Sequence, residues 1–244
     1  MTNATPYKTL SVLMPAYNEE KTISLILGQL VTVARDPSLM HRLTMEIVVV
    51  NDGSEDTTEE QVLAFKEANT DIPVRYIKQT NQGKGAAIRK ALQEATGDIF
   101  VVQDADLEYR AKDLSTLLPY ILESEYEVVY GSRFLNHNNK PSYNSFYHGG
   151  RIVSLFANLL YGTHLTDEST CYKMFTRRAA ESITLRCTGF EFCPEFTAKV
   201  SKLGYSIREV PVHYFPRSFE EGKKIKWKDG VIALWTLLKY RFVN

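Results

Sequence analysis

The sequence has few cysteines and no long apolar run. Its three cysteines lie far apart in 244 residues and form no CxxC pair. This odd number argues against a disulfide framework and favours reduced thiols in a cytoplasmic protein. A bilayer-spanning helix needs about 20 mostly apolar residues, and the longest clean run, residues 231–238, is far shorter. We therefore expect no membrane span, and residues 1–7 show no secretory signal pattern.

The sequence also lacks an excess of one charge. Lys plus Arg and Asp plus Glu both number 29, so the formal net charge is zero. General nucleic-acid binders usually carry a basic excess, and the balance therefore argues against a nucleic-acid partner. Apolar residues make up 44% of the chain, which is enough for a sizeable buried core.

Short β-rich runs alternate with helical patterns in the first half of the chain. The runs are residues 10–14, 46–51, 74–78, 99–103 and 127–131, with helical stretches at 19–34, 57–69, 84–95 and 113–124. This spacing predicts an α/β fold, a Rossmann-like and mostly parallel sheet flanked by helices. In such sheets, ligands bind beyond the carboxyl ends of the strands.

The second half is less regular. Its predicted elements are helices at 142–161, 190–203 and 227–242, a polar loop at 165–173 and a strand at 206–214. The first and last of these helices are amphipathic and rich in aromatic residues. No repeat, low-complexity tract or Pro/Gly-rich linker divides the chain, so we predict a single domain.

Carboxylates follow the fourth predicted strand directly. Asp104 and Asp106 converge if the chain turns there, and Glu108 adds a third oxygen ligand. Unpaired carboxylates this close would repel one another. Mg²⁺ or Mn²⁺ removes that penalty, because these ions prefer carboxylate oxygens together with substrate phosphates. The alternative is structural, with Asp106 as a helix N-cap.

Two further polar motifs follow strands. In Asn51-Asp52-Gly53-Ser54, Asp52 can accept hydrogen bonds from a base or a ribose, although a turn with Ser54 as a helix cap is the structural alternative. Asn81-Gln82-Gly83-Lys84-Gly85 opens a helix but does not fit the P-loop pattern. It is interpreted as a flexible turn whose Lys84 approaches a phosphate.

Together these motifs resemble glycosyltransferase family 2, which has the GT-A fold. The resemblance is carried by Pro15-Ala16-Tyr17-Asn18-Glu19, by the two motifs above and by Asp104-Ala105-Asp106-Leu107, and it covers the chain from about Leu10 to Trp235. Within the family, the chain is most similar to the dolichol-phosphate mannose synthase group and its bacterial polyprenyl-phosphate relatives.

The resemblance implies a donor site. Pro15, Tyr17, Glu19 and Asp52 would line the base and ribose pocket, and the Asp104–Asp106 pair would hold the metal that bridges the donor diphosphate. Two positions depart from the family pattern, since Glu108 stands where Gln is frequent and Asn51 stands where Asp is usual. A carboxylate at 108 would still ligate a metal, with a changed metal preference.

The resemblance also implies an acceptor site. Arg133 would face the acceptor phosphate together with Arg151 on the following helix, since a guanidinium binds two phosphate oxygens at once. Ordinary surface ion pairs are the alternative. Asp167 lies where inverting members place an acceptor-side acid, and it would be the general base for a hydroxyl acceptor; a cap in a turn is its alternative. Glu195 is a second candidate base.

The charged segment 217–224 resembles a flap that closes over the donor diphosphate. Arg217 and Lys223 would neutralise the leaving group and exclude water. Lys226 and Lys228 are interpreted as solvated charges.

The motifs and the resemblance together imply an inverting, metal-dependent hexosyl transfer from a nucleotide-diphosphate sugar (GDP-mannose or a UDP-hexose) to a polyprenyl or dolichyl phosphate. Residues 10–131 would bind the donor and residues 132–244 the acceptor. A glycan hydroxyl acceptor, a sugar nucleotidyltransferase and a non-catalytic nucleotide-sugar-binding subunit are the alternatives. The two amphipathic helices favour peripheral contact with the cytoplasmic face of a membrane, although core helices are the commoner outcome. A homodimer or a membrane-subunit partner is left open.

Overall fold

The computed structural model describes residues 8–140, 143–218, 220, 222 and 224–243. The elements in chain order are β1 (Lys8–Ala16), α1 (Ile23–Ala34), α2 (Pro37–Met40), β2 (Leu43–Asp52), α3 (Thr58–Ala68), β3 (Val74–Gln79), α4 (Lys84–Glu94), β4 (Ile99–Val102), a 3₁₀ helix (Ala111–Asp113), α5 (Leu114–Leu122), β5 (Val128–Ser132), α6 (Asn144–Tyr161), β6 (Lys173–Thr176), α7 (Arg177–Glu181), α8 (Phe192–Lys202), β7 (Ile207–Pro211) and α9 (Trp227–Phe242).

One seven-stranded sheet runs through the molecule in the order β3-β2-β1-β4-β6-β5-β7. Strands β1 to β4 pair in parallel, and so do β5 and β7. Only β6 is antiparallel to both of its neighbours. The predicted α/β fold with a mostly parallel sheet is confirmed, and the carboxyl ends of β1, β2 and β4 meet at one edge.

Side-chain alternation along β1 divides the core between the two faces of the sheet. Leu10, Val12 and Met14 pack toward α1 and α5 on one face. Leu13 points to the other face, where α4 and α8 cover the sheet. A smaller cluster holds α6, α8 and α9 together. Because a strand exposes successive side chains to opposite faces, these apolar runs require helices on both sides.

The sequence-based prediction is wrong at β6. The predicted polar loop 165–173 ends in a strand, since Lys173 begins β6 between β4 and β5. Four residues are too few to show a period, and the buried Lys173 disguises the strand. The predicted strand 206–214 is also shorter in the structure, where β7 ends at Pro211.

The structure also decides two capping alternatives. Asp106 accepts a hydrogen bond from the Glu108 N–H (3.0 Å), and the next helical turn begins only at Ala111, so Asp106 caps no helix. Ser54 accepts from the Asn18 N–H (2.9 Å), whereas Thr57 occupies the N-cap position of α3. Neither residue is therefore explained as a helix cap.

Candidate active site

A cavity of about 960 Å³ opens at the carboxyl edge of the sheet. Both halves of the chain line it, since α6 and α9 form the wall opposite the strand ends. The structure brings most of the predicted site residues to this one cavity: Pro15, Tyr17, Glu19, Asp52, Lys84, Asp104, Asp106, Glu108, Arg133 and Arg217. Asp167 and Arg151 are not among the lining residues, and Lys223 lies outside the described residues.

Carboxylates and cations alternate on the floor of the cavity. The Lys84 ammonium lies 2.5 Å from an Asp104 oxygen. The Arg217 guanidinium bridges Asp106 (2.6 Å) and Glu19 (3.1 Å). Glu108 accepts hydrogen bonds from the Arg217 backbone N–H (2.8 Å) and from the Tyr214 hydroxyl (2.9 Å). The acidic residues that the sequence placed at this edge thus carry positive partners from distant parts of the chain.

Burial and neighbouring carboxylates make a negative charge on Asp106 unfavourable. Burial, and then the neighbouring Asp104 and Glu108 carboxylates, raise the pKa of Asp106 to about 7, against the opposing effect of Arg217. Burial by itself would raise the pKa of Asp104 as well, but Lys84, together with Cys171 and Arg217, outweighs it, and the pKa of Asp104 is lowered. Such a site favours cationic charge, which a divalent metal can supply in place of basic side chains.

The carboxylate set fits a divalent ion in its chemistry. Oxygen ligands on neighbouring residues suit Mg²⁺ and Mn²⁺. Within the described residues, however, no group of three or more His, Cys, Asp or Glu side chains is arranged to hold a metal ion. In the structure, the Asp104 carboxylate pairs with Lys84 and the Asp106 carboxylate pairs with Arg217.

Asp52 organises the loop between β3 and α4. Its carboxylate accepts hydrogen bonds from the Gln79 side chain (2.7 Å) and from the backbone N–H groups of Gln82 (2.9 Å) and Gly83 (2.8 Å). The predicted base-contacting acid is therefore also the residue that shapes the neighbouring loop. Asn51, at the position where the family usually has Asp, donates to the Tyr76 hydroxyl at 2.9 Å.

The glycines of the Asn81–Gly85 motif have a packing explanation. Gly83 has φ +95°, and a Cβ atom there would lie 2.4 Å from the Thr188 carbonyl oxygen. The Ala86 N–H donates to that same oxygen at 3.1 Å. The start of α4 is thus packed against and hydrogen-bonded to Thr188, a contact that we call the clamp. The clamp holds Lys84 at the cavity.

Arg133 and Asp167 form a buried ion pair. The Asp167 carboxylate, which is fully buried, accepts from Nε (2.7 Å), Nη2 (2.7 Å) and the backbone N–H (2.9 Å) of Arg133. The guanidinium also stacks over the Tyr214 ring, 5.1 Å from its centre. Burial would lower the pKa of Arg133, but Asp167 holds it well above its ordinary value.

The remaining acceptor-side candidates lie outside the cavity lining. Arg151 is exposed, donates weakly to the Thr166 carbonyl (3.4 Å) and lies over the Phe134 ring. Glu195 is buried and accepts from the backbone N–H groups of Arg186 and Cys187 and from Lys199. These contacts make Glu195 an anchor for the segment before α8.

Sequence reasoning missed several residues of the site. Lys224, which belongs to the charged segment 217–224 but was not singled out there, contacts Glu19 (2.7 Å) and lies over the Tyr17 ring. Cys171 accepts a hydrogen bond from Lys84 at 2.9 Å. Tyr214 contacts both Glu108 and Arg133. Nothing in the local sequence marks Cys171 or Tyr214, since their partners are distant along the chain.

Comparison with known proteins agrees with this geometry. Residues 11–184 match the sequence profile described as glycosyl transferase family 2. The dolichyl-phosphate beta-glucosyltransferase ALG5A of Trichomonas vaginalis is 30% identical over 236 residues, which cover 93% of this chain and 71% of that protein. The low-salt glycan biosynthesis hexosyltransferase Agl6 of Haloferax volcanii is 28% identical over 240 residues, which cover 97% of this chain and 54% of that protein.

The fold is also found in a solved structure. Glucosyl-3-phosphoglycerate synthase from Mycobacterium tuberculosis, crystallised with uridine-diphosphate, superposes with a TM-score of 0.73 at 18% identity, over 97% of this chain and 81% of that chain. The predicted GT-A fold is thereby confirmed. The family match covers both the acidic motifs and the Arg133–Asp167 pair, and the chain is a glycosyltransferase that belongs to glycosyl transferase family 2.

Proposed function

We propose that the enzyme transfers a hexose from a nucleoside diphosphate sugar to a polyprenyl phosphate, with inversion at the anomeric carbon. The observation that carries the proposal is the cavity itself, which has carboxylates at the strand ends, the Arg133 guanidinium at its side and an apolar wall from α6 and α9. The similar proteins named dolichyl-phosphate beta-glucosyltransferases, and similar structures crystallised with Mn²⁺ and UDP-glucose, support this choice of donor and acceptor.

The donor would lie over β1, β2 and β4. Tyr17, Glu19 and Asp52 would contact the nucleoside, and Asp104, Asp106 and Glu108 would hold Mg²⁺ or Mn²⁺. The bound ion would neutralise the diphosphate as it leaves. Arg217 and Lys224, which contact Glu19 in the structure, lie close enough to the strand ends to add positive charge to the leaving group.

The acceptor would be an anion that Arg133 orients. Asp167 uses both carboxylate oxygens on Arg133 and is fully buried, so it is poorly placed to take a proton from a hydroxyl. A phosphate monoester needs no strong base, because it is already ionised near neutral pH and requires only positioning and charge neutralisation. This geometry favours a phosphate acceptor over a glycan hydroxyl.

A membrane surface would present that acceptor. No helix among the described residues is both long enough and apolar enough to span a bilayer. The outer faces of α6 and α9 nevertheless expose Leu155 (70%), Leu159 (78%), Trp227 (74%) and Trp235 (63%). Trp227 also lines the cavity, so the apolar face reaches the proposed acceptor side. Exposed apolar faces of this kind are typical of contact with lipids or a partner protein.

The test is release of nucleoside diphosphate by purified enzyme. A panel of GDP- and UDP-sugars is supplied with Mn²⁺ or Mg²⁺, with and without farnesyl phosphate as a short polyprenyl-phosphate acceptor. We expect release from one donor that requires both metal and farnesyl phosphate. Asp106→Asn should reduce it by at least about 100-fold, the order seen when a group that stabilises charge in the transition state is lost.

The matched control is Asp71→Asn, which removes an exposed carboxylate paired with Arg35 and should leave turnover unchanged. Donor turnover that farnesyl phosphate does not stimulate, but that an oligosaccharide does, would replace the lipid acceptor with a glycan hydroxyl. Turnover that survives Asp106→Asn would contradict the proposed role of the acidic motif.

A further inference from the structure

Glu209 lies directly behind the acceptor side of the cavity. It stands on β7, opposite Tyr130 of β5, and it is not among the residues that line the cavity. Its Oε2 accepts hydrogen bonds from the Thr166 backbone N–H (2.6 Å) and hydroxyl (2.9 Å). Its Oε1 accepts from the Asp167 backbone N–H at 2.8 Å. One carboxylate thus holds the backbone of two consecutive loop residues.

The loop that Glu209 holds is the one that carries Asp167. Asp167 in turn binds the Arg133 side chain through two oxygens and its backbone N–H through one of them. The Thr166 hydroxyl also contacts the Ser132 hydroxyl at 2.7 Å, immediately before Arg133. A continuous set of hydrogen bonds therefore runs from Glu209, through the loop, to the guanidinium in the cavity.

An ion pair does not explain Glu209. No Lys, Arg or His among the described residues forms a salt bridge with it. By contrast, Glu195, which also anchors a backbone segment, pairs with Lys199 at 2.5 Å. Burial raises the pKa of Glu209, and the nearby Asp167 carboxylate raises it further. Placing the Glu209 carboxylate near the Asp167 carboxylate costs electrostatic energy. This cost indicates that the loop needs both oxygens of Glu209 as hydrogen-bond acceptors.

We propose that Glu209 is a positioning residue for the acceptor, which sets the direction of the Arg133 guanidinium by fixing the backbone of Thr166 and Asp167. The inference rests on the proposed function, in which Arg133 binds the acceptor phosphate. Glu209 itself touches neither substrate. We expect its effect to reach the cavity mainly through Asp167, because Asp167 contacts the Arg133 side chain itself, whereas Thr166 contacts only the neighbouring Ser132.

Glu209→Gln separates positioning from plain electrostatics, because the two predict opposite results. The amide has nearly the same shape, but its NH₂ group would face an N–H donor and break one side of the loop's anchoring. If Glu209 positions Arg133, farnesyl phosphate should bind about tenfold more weakly. If Glu209 acts only as a negative charge near the site, removing it should make the anionic acceptor bind more tightly.

The measurements are the dissociation constant of farnesyl phosphate by calorimetry, and KM and kcat in the release assay. We expect KM for farnesyl phosphate to rise about tenfold while kcat and the KM for the donor change less than about twofold. Glu46→Gln is the matched control. Glu46 is also a strand glutamate that accepts from a backbone N–H, that of Thr96, and from a hydroxyl, that of Ser11, but it lies away from the cavity.

A double-mutant cycle tests the route. Because Glu209 acts through Asp167, combining Glu209→Gln with Asp167→Asn should raise KM no more than the stronger single change, whereas independent effects would multiply. If the Glu209→Gln variant does not fold, Thr166→Val is measured in its place. It keeps the backbone N–H bond to Glu209 but removes the hydroxyl contacts with Glu209 and Ser132, and it should weaken binding about threefold.

An unchanged or tighter dissociation constant in Glu209→Gln would overturn the inference while leaving the proposed function intact. Multiplying effects in the cycle would overturn the route through Asp167. If wild-type enzyme turns over a donor with an oligosaccharide and does not bind farnesyl phosphate, the proposed function fails, and the positioning of a phosphate acceptor fails with it.

Discussion

At the scale of single residues, Gly83 shows how a backbone position serves the site from a distance. It has a positive φ (+95°), which side chains rarely adopt, and its missing Cβ leaves room for the Thr188 carbonyl. Its N–H also donates to Asp52. The residue therefore joins the loop that follows β3 both to the predicted donor-binding acid and to the segment before α8.

Gly83→Ala is expected to destabilise the protein by about 2 kcal/mol or more, because both the strained φ and the contact with the Thr188 carbonyl must be relieved. Donor binding should weaken as well, since Lys84 follows directly. Urea denaturation and calorimetry with the donor nucleotide measure the two effects. Gly28→Ala is the control: this glycine lies inside α1 with nothing within 4 Å of the added Cβ. That change should stabilise the protein by roughly 0.5 to 1 kcal/mol, and a similar result for Gly83→Ala would contradict the clamp.

At the scale of elements, the connection between β7 and α9 crosses the open edge of the sheet. Arg217 in this connection reaches Glu19 after β1 and Asp106 after β4. Lys224 reaches Glu19 as well. Two of the acidic residues at the strand ends, Glu19 and Asp106, thus pair with cations of this one connection. If the enzyme binds a metal ion and a diphosphate as proposed, Arg217 and Lys224 would have to exchange these contacts for new ones.

Arg217→Ala is expected to lower stability by about 3 kcal/mol, because it leaves mostly buried carboxylates without their cation. Millimolar Mn²⁺ should restore much of the lost melting temperature, and it should raise the melting temperature of the variant more than that of the wild type. Differential scanning fluorimetry with and without Mn²⁺ provides the measurement. Arg35→Ala, which breaks the exposed pair with Asp71, should show neither effect. If Mn²⁺ raises both melting temperatures equally, Arg217 does not stand where the metal binds.

At the scale of the whole molecule, α6 and α9 form a face of a different character from the rest of the surface. Their inner sides pack together through Val153, Ala157 and Leu237. Their outer sides carry exposed Leu and Trp residues, whereas α6 contains no acidic residue and α9 contains only Asp229. Lys226, Lys228, Lys239 and Arg241 are exposed around α9. An apolar face bordered by cations suits an anionic lipid surface.

The two tryptophans of the chain, Trp227 and Trp235, both lie on this face, so the fluorescence of the protein reports on it directly. We expect vesicles that contain phosphatidylglycerol and brominated phosphatidylcholine to shift the emission to the blue and to quench it. Leu155→Gln combined with Leu159→Gln should weaken vesicle binding about tenfold or more, because each leucine loses apolar burial in the lipid.

The matched control is Leu25→Gln with Leu63→Gln, two exposed leucines on α1 and α3, which should bind vesicles as the wild type does. Equal loss of binding in both double variants would contradict a specific face. A blue shift that depends on protein concentration and needs no vesicles would assign the face to a second copy of the chain.

The sequence alone determined the sheet edge that β1, β2 and β4 form. Apolar runs, each followed by polar residues, mark β1, β2 and β4, and parallel pairing brings their carboxyl ends to one edge. That is why the sequence suffices to place Glu19, Asp52 and Asp104 together. Helix α9 was also predicted with the same bounds, Trp227–Phe242. β6 was missed because four residues with a buried lysine carry no period.

Only the tertiary structure decided which charges meet. Arg217 and Glu19 are 198 positions apart, and Arg133 and Asp167 are 34 apart. The hydropathy pattern of a segment shows which side of a helix or strand is buried. It does not show which buried side chains contact each other, because those contacts depend on the order of the strands in the sheet. Asp167 illustrates the difference: its place in the sequence suggested a base, and its contacts show a carboxylate that grips an arginine. Glu209 had no local signal at all, since its role depends on a loop that the antiparallel β6 brings back beside β5 and β7.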